Sequence, residues 1–279
     1  MSTNPDSVIQ PALSHPTRTH CAVHRGHGRQ LSRDSSRVLG VPITYRTLEA
    51  ATAEIDARAS SGQGGYVCLA NVHMIMEALD DPSFFSVLDQ AEAVVPDGMP
   101  LVWSLRAAGF PESERVAGID LTTAVLDLAQ EKGLVVGFLG GQPEVLERLV
   151  SLVGSRWPTL RVPYAHSPPF RAQSENEAEQ QIHEINSSGV QLLFVGLGCP
   201  KQERWMAANR ANTPAVMLGV GAVFDVLSGA KPHAPALIRR LGLEWLFRLV
   251  LEPRRLLVRY ARHNPRFVWR RLAERTRRR

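Results

Sequence analysis

Cysteine is scarce in this 279-residue chain: Cys21, Cys68 and Cys199 are scattered and odd in number. They give neither a metal-ligand spacing nor a disulfide framework, which points to a reducing, cytoplasmic setting. Long apolar runs are missing too. None approaches the roughly eighteen residues needed to span a bilayer, and the N-terminus lacks the apolar core of a signal peptide. The chain therefore reads as soluble or peripheral to a membrane. There is no Asp-x-Asp, which leaves a metal-bridged nucleotide-sugar site of that kind unsupported, and no Walker A motif. Gly196-Leu197-Gly198 is only the beginning of a dinucleotide-binding Gly-x-Gly-x-x-Gly, so a nicotinamide-dependent oxidoreductase has little support. No Gly-x-Ser-x-Gly elbow occurs either.

What the chain does contain is a large apolar fraction and an uneven charge. Hydrophobic residues make up 44%, enough for a substantial core in one domain or two small ones. The net charge of +5 is the sum of three unlike segments. Residues 229–279 carry fifteen Lys/Arg against three Asp/Glu, 37–228 carry thirteen against twenty-two, and 1–36 carry four against two, giving +12, −9 and +2. Residues 1–36, rich in Ser, Thr, Pro, Arg and His without periodicity, read as a disordered tail. Residues 37–230 read as an α/β domain and 231–279 as a basic helical appendage. A basic appendage on an acidic globule calls for an anionic partner: a membrane surface, a phosphate-bearing lipid or a nucleic acid. His20, Cys21, His24 and His27 could ligate a metal, but their spacing matches no zinc pattern. No metal or cofactor is expected.

The stretch Gln191–Trp205 organises the rest. Leu192–Val195 is a continuous apolar run, as in a strand buried on both faces. Gly196 and Gly198 permit a tight turn and a close ligand approach. Pro200 suits the first turn of a helix, which puts Lys201, Gln202 and Glu203 at a helix N-terminus beyond a strand's carboxyl end. Ligands of open α/β sheets bind there, and exposed amides, the helix dipole and Lys201 favour an anion. An ordinary strand-to-helix turn with a solvated lysine is the alternative. Strands are also expected over Val38–Tyr45, Tyr66–Ala70, Ala93–Val95, Leu134–Leu139, Leu160–Tyr164 and Ala215–Val220, with helices between them. This alternation implies a mainly parallel sheet with helices on both faces. Arg115–Asp120 reads as a polar loop capping the helix that starts at Leu121. From Pro235 onward the chain reads as helix, interrupted at Pro253 and Pro265.

Asp97 ends a buried strand between Pro96 and Gly98, so its carboxylate is held rigidly where it could take a proton from an attacking hydroxyl. An Asp-Gly turn is the plainer explanation. Asn71 ends a second strand and could hydrogen-bond a substrate hydroxyl or stabilise a turn; His73, close behind it, reads as capping or packing. In the appendage Arg255, Arg259, Arg262 and Arg266 are spaced by four, three and four, with Arg254 adjoining, so a helix aligns them near Leu256, Tyr260 and Phe267. Such a stripe suits a membrane interface or a lipid diphosphate, or is simply a solvated face. A nucleic-acid-binding tail would leave Asp97 and the 196–203 loop without purpose.

Taken in order, Asn71, Pro96-Asp97-Gly98, Arg115-Val116-Ala117-Gly118-Ile119-Asp120-Leu121, Gly140-Gly141, Ser167-Pro168-Pro169-Phe170, Gly196–Glu203 and Gly219-Val220-Gly221 resemble the WecG/TagA/CpsF glycosyltransferases. The resemblance covers roughly residues 38–270. It implies a Rossmann-like fold and an inverting, metal-independent enzyme of cell-surface polysaccharide biosynthesis. Such enzymes move a sugar, typically N-acetylmannosamine, from a UDP donor to an undecaprenyl-diphosphate-linked saccharide at the inner face of the plasma membrane. Asp97 corresponds to the proposed base. Asn71, Gly98, Arg115, Gly118, Asp120, Gly140, Gly141, Gly196, Gly198, Pro200, Lys201, Gln202, Glu203 and Gly221 become the expected substrate- and nucleotide-binding set. Arg254, Arg255, Arg259, Arg262 and Arg266 become the lipid-diphosphate or membrane set. The expected partners are the UDP-sugar, the lipid-linked acceptor and an anionic membrane, with no nucleic acid; a homo-oligomer stays open. Leu69 stands where the family often has threonine, which leaves the donor sugar open.

Overall fold

A computed structural model describes residues 35–44, 47–240 and 242–277. The chain starts with a hairpin, β1 (Ser35–Val38) and β2 (Val41–Thr44), where one strand over Val38–Tyr45 is expected. Leu39 and Gly40 both have positive φ, 52° and 86°, the backbone that a two-residue hairpin turn demands. Helix α1 (Leu48–Ser61) follows, capped by the Thr47 hydroxyl, which accepts from the Ala50 N–H at 3.2 Å. Then come β3 (Gly65–Ala70), α2 (Val72–Asp80), α3 (Pro82–Gln90), β4 (Ala93–Pro96) and α4 (Met99–Arg106). The next helix, α5 (Gly118–Lys132), begins at Gly118, so Gly118 and Asp120 lie in its first turn and not in the expected capping loop.

The second half alternates regularly: β5 (Val135–Gly140), α6 (Pro143–Arg156), β6 (Arg161–His166), α7 (Glu175–Ser187), β7 (Leu192–Gly196), α8 (Lys201–Asn209), β8 (Val216–Gly219) and α9 (Val223–Leu227). Strands β3 to β8 form one all-parallel sheet in the order β4-β3-β8-β7-β5-β6. Alternate side chains serve opposite faces. Tyr66, Cys68, Leu193 and Met217 pack with Met74, Phe84 and Ile185 on one side, while Val67, Phe138, Phe194 and Leu218 pack with Ile55, Leu121, Leu149 and Phe224 on the other. The strands read as unbroken apolar runs because both faces are covered. Each fully buried side chain of this size contributes about 1.5–3 kcal/mol. Edge strand β6 is the polar exception, with Arg161 and Pro163 exposed.

Three helices close the chain: α10 (Ala236–Arg240), α11 (Glu244–Leu251) and α12 (Pro253–Arg277). Pro253 opens α12, but Pro265 neither ends nor interrupts it, contrary to expectation. Leu256 and His263 before the proline and Phe267 after it are buried, and α12 lies against α2. Packing on both sides of Pro265 outweighs the lost backbone bond there. No described helix is long and apolar enough to cross a membrane.

Candidate functional site

In a parallel sheet every strand ends at the same edge, and the loops leaving that edge form the site. The register pairs Ala70 with Pro96 and Cys68 with Gly219, so the segments after β3, β4 and β8 emerge side by side. The N–H groups of Asp97 and Gly98 both donate to the Ala70 carbonyl, at 2.9 and 3.2 Å, which seats Asp97 beside Asn71. Asn71 caps α2, its side-chain oxygen accepting from the Met74 N–H at 3.2 Å. Val116 N–H donates to the Pro96 carbonyl at 3.0 Å and brings the loop before α5 alongside.

These segments and α10–α12 enclose a cavity of about 180 Å³. Five arginines line it (Arg115, Arg239, Arg248, Arg255 and Arg259) against three carboxylates, Asp97, Asp120 and Glu244. The cavity is therefore net cationic. Arg115 Nε donates to the Asp97 carbonyl at 2.6 Å, while its Nη2 stands 3.3 Å from Asp97 Oδ1 and 2.9 Å from Glu244 Oε2. Arg239 reaches Asp120 at 3.4 Å. The Nε atoms of Arg239 and Arg259 are buried without a hydrogen-bond partner among the described residues. Burial raises the Asp97 carboxyl above its ordinary value; Arg115 opposes this, Glu244 adds to it and Arg248 opposes it. Burial lowers the Arg259 guanidinium, which Tyr260 partly offsets and Arg255 reinforces.

Of the residues expected from sequence, Asn71, Asp97, Arg115, Gly118, Asp120, Gly198, Gln202, Gly221, Arg255 and Arg259 line this cavity. Gly98 adjoins it through the Asp97 turn. Others lie apart. Gly196 and Gly140 are packed against each other: a Cβ on Gly140 would stand 2.7 Å from the Gly196 backbone, and one on Gly196 would stand 2.6 Å from the Phe224 ring. These glycines permit close packing of β5, β7 and α9. Gly141 donates its N–H to the Gly196 carbonyl at 3.1 Å. Pro200, joined to Cys199 by a cis peptide bond, precedes α8 instead of lying in its first turn. Lys201 is exposed and lines a separate cavity of about 270 Å³ with Trp205, Leu197 and the Pro168–Phe170 segment.

Gln202 and Glu203 face inward. Gln202 Oε1 accepts from the Gly198 N–H at 3.0 Å, and its Nε2 donates to Glu203 Oε1 at 2.8 Å. Glu203 is fully buried, and burial pushes its carboxyl up to about 7 against the bonds from Gln202 and Cys199. This pair buttresses the loop from within. On α12, Arg266 is bound through both Nη atoms to Asp80, at 2.8 and 2.6 Å, whereas Arg254 and Arg262 are exposed. The expected single arginine stripe is thus divided between cavity, α2 and solvent.

Sequence reasoning misses Arg239, Glu244 and Arg248. The one available signal is Glu244 itself, one of three acidic residues among fifteen basic ones over 229–279. It also leaves His73 without its partners. His73 Nδ1 and His263 Nε2 each lie 3.7 Å from Glu77 Oε1, and the three side chains offer ligand atoms within 4.8 Å of one another. Burial holds His73 down at about 4, with Arg259, His263 and Arg262 adding to the effect. Those arginines oppose a divalent cation there. The His20–His27 cluster lies outside the described residues. A family model described as Glycosyl transferase WecG/TagA/CpsF family matches residues 36–279.

Proposed function

The chain belongs to the WecG/TagA/CpsF glycosyltransferases of cell-surface polysaccharide synthesis, and on that premise we propose the following reaction. It moves N-acetylmannosamine or a related hexose from a UDP donor onto a polyprenyl-diphosphate-linked saccharide, with inversion and without a metal. The acceptor hydroxyl attacks the anomeric carbon, the bond to UDP breaks, and Asp97 takes the hydroxyl proton. A carboxyl raised by burial is better suited to that than a solvated one. The observation that carries this reading is the cavity's charge: five arginines line the cavity that holds Asp97, and two of them have buried Nε–H groups without a partner among the described residues. Unpaired buried donors are costly, and phosphate oxygens would satisfy them. They would also stabilise the negative charge that develops on departing UDP.

Gly221, Gly198 and the first turn of α5, with Gly118 and Asp120, offer further contacts for the donor. Gly140, Gly141, Gly196 and Lys201 lie on the same sheet edge, one and two strands beyond β8, so the nucleotide would extend over β7 and β5. Leu69 lines the cavity with an apolar surface where a hydroxyl would otherwise hydrogen-bond, which suits the methyl of an acetamido group. The protein would act peripherally at the inner membrane face. Leu257, Val258, Val268, Trp269 and Leu272 on α12 are each more than half exposed, beside Arg254 and Arg262. The test is UDP release over a panel of UDP-sugars with and without polyprenyl-diphosphate-GlcNAc. Release that requires no lipid-linked acceptor, with any donor, would overturn the acceptor assignment.

A further inference from the structure

The Arg115 guanidinium is held in two independent ways. Its Nε is fixed by the Asp97 backbone carbonyl at 2.6 Å, a bond needing no carboxylate. Its Nη2 is divided between two carboxylates and lies closer to Glu244 (2.9 Å) than to Asp97 (3.3 Å). Asp97 and Arg115 belong to the sheet edge, whereas Glu244 is the first residue of α11, 129 positions after Arg115. A carboxylate that owns an arginine outright is a weak base, its pKa drawn down by about 1–3 units. One that shares the arginine keeps more proton affinity.

From this geometry we propose that Glu244 is a positioning residue: by taking the larger share of Arg115 Nη2 it leaves Asp97 more proton affinity than Asp97 would keep with Arg115 to itself. The inference rests on Asp97 being the base. Asp97 is faced by Arg115 from the loop before α5 and by Glu244 and Arg248 from α11. His73 on α2, Asp120 on α5, His233 before α10, Arg239 on α10 and Arg255 and Arg259 on α12 line the remainder of the cavity. Among the described residues, Glu244 is the one carboxylate besides Asp97 that reaches the Arg115 fork.

The experiment is the pH dependence of kcat/KM for full-length protein, compared with Glu244→Gln, Arg115→Ala, the double variant and Asp97→Asn. Glu244→Gln keeps shape and an acceptor oxygen but removes the charge. Its acidic limb should move down by about one pH unit and its plateau should fall roughly threefold, as for a base weakened by that much. In the Arg115→Ala background the same substitution should move the limb by clearly less, because only the direct repulsion between the two carboxylates is then left. Glu244→Asp should restore part of the shift. An acidic limb unmoved by Glu244→Gln, or one moved equally in the Arg115→Ala background, overturns the inference while leaving Asp97 as base. Normal turnover in Asp97→Asn overturns the base assignment and this inference with it.

Discussion

The two halves of the cavity are built on different principles. The sheet half, with Asn71, Asp97 and Gly221, is tied by backbone hydrogen bonds to the Ala70, Pro96 and Val195 carbonyls and backed by strands buried on both faces. The helical half, with Arg239, Glu244, Arg248, Arg255 and Arg259, hangs on few contacts. Helix α11 has no fully buried residue, and α12 is anchored mainly by Leu256, His263, Phe267 and the Arg266–Asp80 pair. A rigid edge carries the base, and a weakly held roof carries most of the cationic charge. Local opening costs less free energy where fewer apolar contacts are buried, so the roof is the half expected to open first.

Removing the roof should have the largest effect. Truncation after Leu241 deletes three of the five cavity arginines, Arg248, Arg255 and Arg259, and leaves the sheet intact. The shortened protein should stay folded by circular dichroism while losing lipid-acceptor transfer and binding to anionic vesicles. Transfer at the full rate by that folded truncation would make the roof a passive appendage. Breaking the rigid half is more selective. Asp97→Asn should lower turnover by roughly two or more orders of magnitude, in line with general-base contributions. UDP-sugar affinity by calorimetry should hardly change, and near-normal turnover would rule out Asp97 as base.

A gentler perturbation acts on the seam between the halves. His73 and His263 meet across α2 and α12, and burial, with neighbouring arginines, lowers both. The docked state keeps His73 neutral down to about 4, whereas a solvated histidine titrates near 6.5. Docking is therefore strongest above pH 6.5 and weakens as pH falls toward 4. Protease cleavage within α12 should rise between pH 7.5 and 5, and His73→Gln should flatten the change. Equal cleavage rates of the parent protein at both pH values would remove this linkage.

The smallest effect belongs to the rigid half. Glu203 titrates near 7 when folded and at 4.5 in its unperturbed form, so its contribution is fullest below 4.5 and declines as pH rises through 7. Glu203→Gln should therefore raise Tm by a few degrees at pH 8 and by little at pH 5. A Tm lower than the parent's at pH 8 would mean that the carboxylate is stabilising the loop.

Much of the rigid half is legible from sequence because its causes are local. Unbroken apolar runs at β3, β5 and β7 fit only a sheet covered on both faces, and alternation with amphipathic helices leaves a parallel arrangement. Asn71, Asp97 and Gly221 each follow such a run, so they had to come out at the same edge. The roof is legible only in outline. Helical spacing aligns Arg255, Arg259, Arg262 and Arg266, yet it carries no information about which of them meets Asp80, which meets solvent and which meets a cavity. The same limit hides Glu203 at a helix start that reads as exposed, and the packing of Gly196 against Phe224.

By itself, the amino-acid order determined the six strands of the main sheet, most helices, the parallel arrangement and the edge where Asp97 emerges, since propensity, capping and burial periodicity act over a few residues. Only the tertiary structure decided that Glu244 shares Arg115 with Asp97, that Arg239 and Arg248 join the cavity, and that α12 runs on through Pro265. Those outcomes depend on which faces meet across more than a hundred residues of chain, and no local pattern encodes the partner.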